Sequence, residues 1–443
     1  MFKRASVAAD ECCVVCRRIC AQGDVYVGAG SSLHSSCSQM VPDTRRETDW
    51  HEILPLGREI NDIIIGMKKF VAVMNIPSPY RLHLLGALAR QLAERGIAFH
   101  CHFMSRGHAG RPQSWLNPKI DFPHTYWRDY GVGEYHFNPG LIWEMIRTPA
   151  DWMICGSTFD TFTGIGVQLL GRARVKMSWL EGNTKTPGKM GGVIGWIKRF
   201  VLGRCQYVAV PGKEGAAYMA LHQARTKRRM PAPVYLPNLV DETRFVAGGK
   251  KDAATQQKLF DASGEKVCLI PARFDPVKGL KELFRLLPPD MLKGWKVVIM
   301  GHGPEEAETV QIIHLRGLGP FVKIIHSVPY AEMPQYYAAA DLMLLPSRQD
   351  LNPLCVVEAL HSGLPVALSE MAGNVAEAVT EGANGWVLHV MDEARYAADL
   401  RRVFASSREE LIEMGNVSKE TNSRFWITEH AIQTFLDAVQ IKG

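Results

Sequence analysis

The sequence predicts an α/β protein built from two doubly wound, Rossmann-like domains facing each other across a cleft. Three observations carry that expectation. The chain has 443 residues, about three times the length of a typical domain. From Phe70 onward, short apolar runs alternate with stretches of helical periodicity, the signature of parallel βα units. A polar stretch at residues 247–266 divides these units into two series.

In the first series FVAVMN reads as a buried strand, the first strand spanning Lys69–Met74. Pro77 and Pro79 then break the chain and deny a helix there. RLHLLGALARQLAERG has helical spacing, with Gly96 placed as a C-terminal cap. IAFHCHFMS is a second strand. WMICGS (152–157), VKMSWLEG (175–182), QYVAVPG (206–212) and VYLPNLVD (234–241) are expected as further strands. The stretch 247–266 reads as linker and loop. The second series then runs strand KVCLIPARF, helix GLKELFRLLP, strand WKVVIMGHGP, helix 305–316, strand VKIIHSV, helix MPQYYAAA, strand DLMLLPS, helix VVEALHSG, strand LPVALSE, helix GNVAEAV and strand GWVLHV. An amphipathic helix at 424–440 ends it. The domain expectation is 67–240, 241–425, and a tail 426–443 that crosses back to the first domain.

Composition narrows the class. A content of 47% hydrophobic and 22% charged residues excludes a disordered, collagen-like or low-complexity chain. No apolar run reaches the ~18 residues of a spanning helix. The start MFKRASVAADECC lacks an apolar segment behind its basic residues, so no secretory signal is read and a cytoplasmic location is expected. Net charge is +6, but it is unevenly spread: residues 67–240 carry 23 basic and 9 acidic side chains. Such a domain meets something anionic or merely presents a solvated surface. Five of ten cysteines lie in the first 37 residues. Cys13 and Cys16, with Cys20, His34 and Cys37, invite a zinc reading. The competing expectation is that 1–66 is a weakly ordered or non-native extension ahead of a natural start at Met67.

Ligands of open α/β sheets sit beyond the C-terminal ends of the strands. Four such ends carry chemistry. In PARFDPVKGL, Arg273 and Lys278 stand beside a helix start and can clamp a diphosphate, or be two solvated cations. In MGHGP, Gly301 and Gly303 let backbone approach a ligand closely, or form an ordinary turn. In PSRQDLNPLCVVEALHSGLPV, Asn352 fits an N-cap, Pro353 the first helical position and Gly363 the C-terminal stop. The free amides of Leu354 and Cys355 would then face the crevice. Asp350 and Glu358, eight positions apart, can each accept two hydroxyls of a vicinal diol. Alternatively, Asp350 is a loop residue and Glu358 an exposed helix residue. Finally, Gly373 and Asn374 open a short helix at the outer wall.

Taken in order, R-x4-K-G, G-x-G-P, P-S-x-x-D-x7-E-A-x-x-x-G-x-P-V and G-N-x-x-E over roughly 267–390 resemble the C-terminal domain of glycosyltransferase family 4, of GT-B fold. The Met74–Arg81 loop, Trp179-Leu180-Glu181 and VPGKEGAAYM followed by LPNLVD resemble that family's first domain and hinge more loosely. The resemblance implies a retaining transfer from a nucleotide diphosphate sugar in the cleft, without metal or other cofactor. It implies that Arg273 and Lys278 hold the diphosphate with the Leu354 and Cys355 amides. Glu358 would bind the ribose and Asp350 the donor sugar, although the family usually has Glu there. The first domain is expected to take a glycan or lipid-linked acceptor, with Arg81 and Glu181 as contacts. VIGWIKRFVLGR (193–204) suits interfacial contact with an anionic membrane or is an ordinary domain-surface helix, and no nucleic-acid partner is expected. A GT-B nucleotide-sugar epimerase and a non-catalytic nucleotide-sugar-binding protein are the rival readings.

Overall fold

The computed structural model describes residues 67–107, 119–131, 135–156, 159, 161–185, 188, 190–246, 252–420 and 422–441. The zinc reading and the rest of 1–66 lie outside the described residues.

Two parallel sheets form the frame. The first holds β1 (Lys68–Met74), β2 (Ile97–Phe103), β3 (His124–Tyr126), β4 (Ala150–Gly156), β5 (Ala173–Trp179), β6 (Tyr207–Val210) and β7 (Ala232–Tyr235), in the order β3-β2-β1-β4-β5-β6-β7. The second holds β8 (Lys266–Ile270), β9 (Trp295–Met300), β10 (Val322–Ile325), β11 (Leu342–Leu345), β12 (Val366–Ser369) and β13 (Gly385–Leu388), in the order β10-β9-β8-β11-β12-β13. Each order reverses once, between β1 and β4 and between β8 and β11. A crevice opens at each reversal, beyond the strands' C-terminal ends. The central strands are buried on both faces: Val267, Cys268, Leu269 and Ile270 of β8 are fully enclosed. That is why they read in sequence as unbroken apolar runs.

The first sheet is covered by α1 (Pro79–Glu94), α2 (Pro139–Arg147), α3 (Phe162–Leu170), α4 (Gly192–Leu202) and α5 (Lys213–Ala224). Pro79 does not break α1 as expected but begins it. Its fixed φ suits the first helical position, where the missing N–H costs nothing. The hinge leads through α6 (Glu242–Val246) into α7 (Ala253–Phe260). This second helix corrects the reading of 247–266 as linker and loop: the Asp252 carboxylate accepts from the Thr255 amide and caps it, and Phe260 is buried. The second domain continues with α8 (Leu280–Leu286), α9 (Glu306–Leu315), α10 (Met333–Ala339), α11 (Leu354–His361), α12 (Val375–Ala378), α13 (Glu393–Ala405) and α14 (Arg408–Glu420). Asn352 is not the cap of α11. Pro353 takes that place and Leu354 begins the helix, because a proline with extended ψ ends the loop one residue later than the spacing implies.

The last helix, α15 (Thr428–Ala438), lies against α1 of the first domain. Gln91 Nε2 donates to Glu429 Oε2 at 2.6 Å, and the His83 ring nitrogen meets the Thr428 hydroxyl at 2.9 Å. Glu242 of the hinge helix accepts from both the Thr428 amide and its hydroxyl. Beneath these polar ties Ile432, Phe435 and Leu436 are enclosed in an apolar core that runs continuously through Leu236, Leu239 and Phe245 into both sheets. Removing one large side chain from this seam should loosen both domains. Phe435→Ala is expected to cost about 3–5 kcal/mol, read as a lowered denaturant midpoint.

Candidate active site

The site grows from two loops at the β8/β11 reversal. After β8 the Asp275 carboxylate accepts from the Val277 amide and caps the short turn Pro276–Lys278. Gly279, at φ 68°, swings the chain into α8, and a side chain there would meet the Pro346 carbonyl at 2.4 Å. Val277's carbonyl accepts from the amides of Arg348 and Gln349 at 2.8 and 3.1 Å. The loop after β8 is thus fixed against the loop after β11. The consequence is a half-buried ion pair: Lys278 Nζ lies 2.5 Å from Asp350 Oδ2. The Ser347 hydroxyl is 3.4 Å from the same oxygen.

Asp350 is also held by its backbone. Its carbonyl accepts from the Gly373 amide at 3.0 Å, and a Cβ on Gly373 would fall 1.7 Å from the Leu351 carbonyl. Asn374, buried, donates its side-chain amide to the Pro353 carbonyl at 3.0 Å. Gly373 and Asn374 therefore clasp the start of α11. Leu354 and Cys355 form its first turn, whose amides have no intrahelical acceptor and carry the positive end of the helix dipole.

Glu358 is not an exposed helix residue; it is buried. The Tyr337 hydroxyl, on α10 and fully enclosed, donates to its Oε2 at 2.6 Å. Burial holds the Glu358 carboxyl above the ordinary carboxylate range, against the opposing pull of the Tyr337 hydrogen bond and the Arg244 charge. Burial also raises the Cys355 thiol, which in addition feels the charges of Asp350, Lys278 and Glu358. The two acids and the lysine therefore share one neighbourhood, with Cys355 among them.

Arg273 stands apart. Its side chain is 70% exposed and its guanidinium pairs with Asp275, two residues on, at 3.1 Å. Gly301 and Gly303 spend their missing side chains on the protein's own backbone: a Cβ at either would meet the carbonyl of Ala272 or Phe274 at 2.3 or 2.4 Å. They set the loop that carries Arg273 against the end of β9.

Across the cleft, Arg81 donates to Asn75 Oδ1 at 2.7 Å and lies 3.6 Å from Glu181, which also accepts from Asn238 at 3.1 Å. The ends of β1 and β5 and the approach to the hinge thus meet at one ion pair. Sequence reasoning missed the contacts that join the halves. Asn183, after β5, donates to the Asp350 carbonyl at 3.4 Å. Lys185 donates to the carbonyls of Glu370 and Ala372. The Lys213 amide donates to Glu377 Oε1 at 2.6 Å, and its ammonium to the Ala376 carbonyl at 3.2 Å. It also missed Tyr337: helical spacing in MPQYYAAA does not say which of two adjacent tyrosines turns toward a glutamate on another helix.

Two Rossmann-like domains with their reversal points facing one cleft constitute the GT-B fold. The solved structures agree. HepE from Anabaena in complex with UDP superposes with a TM-score of 0.64 at 15% identity, covering 84% of this chain and 99% of that one. The lipopolysaccharide outer core galactosyltransferase WaaB in its apo form gives 0.60 at 15% identity, covering 84% and 99%. Residues 251–420 match the family model described as Glycosyl transferases group 1. Among curated proteins, a D-inositol 3-phosphate glycosyltransferase of Nocardia farcinica is 29% identical over 190 residues, 41% of this chain and 41% of its own length. Spore coat protein SA of Bacillus subtilis is 28% identical over 198 residues, 41% of this chain and 51% of its own length. The matched stretches thus span about half or less of these relatives.

Glu358 is a buried acid whose ionised form is disfavoured in the ligand-free fold. Because its carboxyl is raised in the folded chain, the native state holds a proton that the unfolded state has lost over the window between the ordinary and raised values. Stability falls as pH rises through that window. Glu358→Gln should therefore raise the thermal midpoint of the ligand-free protein at neutral pH. The gain should vanish at pH values below the ordinary carboxyl range, where both forms are neutral; thermal unfolding across pH checks it.

Proposed function

We propose that this chain is a retaining glycosyltransferase. It moves a sugar from a nucleotide diphosphate sugar to a glycan or lipid-linked acceptor in surface polysaccharide or glycolipid assembly, in peripheral contact with an anionic membrane. The observation that carries the proposal is the Lys278–Asp350 pair at the mouth of α11, with buried Glu358 one helical stretch behind it. The group 1 match over 251–420 covers the same loops.

The chemistry follows from charge. As the bond from the anomeric carbon to the phosphate oxygen breaks, negative charge grows on the departing diphosphate. Lys278, the α11 amides and Arg273, swung in from solvent, meet that charge with a fixed positive field. This is the task a divalent cation performs elsewhere, so the proposed reaction is metal-independent. Asp350, freed from Lys278 as the phosphate takes over the ammonium, accepts hydroxyls of the donor sugar. Glu358 holds the ribose through the oxygen that Tyr337 leaves unengaged. The acceptor hydroxyl approaches from the Arg81–Glu181 side and forms the new bond on the face the diphosphate leaves, its proton passing to the departing phosphate oxygen.

Lys278→Ala and Arg273→Ala should each lower transfer by about a hundredfold or more without lowering the thermal midpoint appreciably. UDP is the first ligand to try, since the HepE structure contains it. At ~100 times its Kd a nucleotide should stabilise the protein by about 2.7 kcal/mol. NMR of the donor separates the alternatives. A sugar nucleotide altered without acceptor identifies an epimerase, and donor binding with neither transfer nor slow hydrolysis identifies a binding protein. Full activity in both variants overturns the proposal.

A further inference from the structure

A second pocket opens between the domains, and it shares no lining residue with the loops after β8 and β11. The first domain supplies Lys213 at the start of α5 and Tyr235 at the end of β7. The second supplies Glu377 in α12 and Thr380 just past it. Asn422 and Phe425 follow from the short turn Asn422–Trp426 ahead of α15. The volume is about 350 Å³, within the range of small-molecule sites. Two acceptors in this lining are unserved. Glu377 Oε1 takes the Lys213 amide at 2.6 Å, but Oε2 is buried and no donor of the described residues reaches it. Asn422 Nδ2 donates to the Glu377 and Ala378 carbonyls and to the Thr380 hydroxyl, at 3.5, 3.2 and 3.2 Å, which fixes the orientation of the amide. Asn422 Oδ1 is left buried without a donor among the described residues, on a residue only 7% exposed. Buried acceptors in a settled fold are ordinarily paired.

The lining selects the ligand. Burial holds the Glu377 carboxyl above the ordinary carboxylate range, against the opposing pull of the Lys213 amide and charge. The Lys213 ammonium gives one proton to the Ala376 carbonyl at 3.2 Å and has others to offer. A charged ligand would be drawn by one of these two groups and opposed by the other. A neutral molecule with several hydroxyls suits both. Its protons go to Glu377 and Asn422, and its oxygens take protons from Lys213 and Thr380. The Tyr235 and Phe425 rings meet edge to face at 6.2 Å and offer carbon surface to an apolar ring. Hydroxyls set around an apolar ring describe a sugar.

We infer that this pocket is a carbohydrate site separate from the Lys278–Asp350 site: a neutral sugar places hydroxyls on Glu377 and Asn422 and covers the Tyr235 and Phe425 rings. Its walls belong to both domains, so the site is complete only while they are joined. Occupancy and joining therefore favour each other. The binding rests on the pocket alone and needs no transfer reaction. The sugar is either free or one unit of a longer chain.

Saturation-transfer NMR of the full chain with glucose, galactose and maltotriose tests it. At least one of the three should bind saturably. Glu377→Gln keeps an oxygen for the Lys213 amide and removes the unpartnered acceptor. Tyr235→Ala removes a side chain of a residue already 41% exposed. Each should weaken sugar binding by about tenfold without lowering the thermal midpoint. Lys278→Ala, in the other site, should bind as wild type does. Maltotriose bound about tenfold tighter than glucose assigns the pocket to a chain, and equal binding assigns it to a free sugar; both support the site. The inference is overturned if none of the three sugars binds, if binding survives both pocket substitutions unchanged, or if Lys278→Ala abolishes it. Sugar binding without any thermal shift from UDP would instead sink the transfer reading and leave this site standing.

Discussion

The contact on which the proposed chemistry of the second domain depends is the ion pair between Lys278 and Asp350. It joins the loops after β8 and β11, the two strands that flank the point where the sheet order reverses. Neither loop would keep its shape alone. The Val277 carbonyl, the two amides it receives from Arg348 and Gln349, and the close passage of Gly279 past Pro346 bring the ammonium and the carboxylate together. A half-buried pair of this kind contributes little net stability once desolvation is counted. In the proposed function its worth lies in holding a cation and an acid at the tip of α11 with opposite charges already arranged, so that an entering anion would exchange partners instead of meeting a bare charge.

The same economy recurs at Glu358. A buried carboxyl with its proton affinity raised is a cost to the fold, yet Tyr337 fixes one of its oxygens and leaves the other uncommitted. Arg244 links this corner to the hinge. It donates to the Tyr330 carbonyl, stacks on the Tyr330 ring and acts on Glu358, while Glu242, two residues earlier, is bound to Thr428 of the crossing helix. One short helix, α6, therefore touches both the Glu358 corner and the seam between domains.

Most of the frame was legible in the sequence for a simple reason. Parallel strands buried on both faces, such as KVCLI and WKVVIM, are continuous apolar runs that little else produces. What escaped was short or depended on distance. β3 is three half-buried residues, His124, Thr125 and Tyr126, with no run to detect. α7 hides in a polar stretch because only Gln256 and Phe260 of its eight residues are buried. The α11 start was off by one, since an Asn-Pro step fits two cap positions equally well. At the site, residue types and spacing pointed to Lys278, Asp350 and Glu358, but not to their condition. That Glu358 is enclosed depends on Tyr337, and that Gly301 and Gly303 serve the backbone depends on Ala272 and Phe274.

The latch between the domains grips main chain more than side chain. Asn183, Lys185 and Lys213 reach across to the carbonyls of Asp350, Glu370, Ala372 and Ala376. Main-chain oxygens are the same whatever residue bears them. The far wall can therefore exchange its side chains without unfastening the halves. Such a joint lets one scaffold take a new cleft lining while its mechanical closure is inherited unchanged.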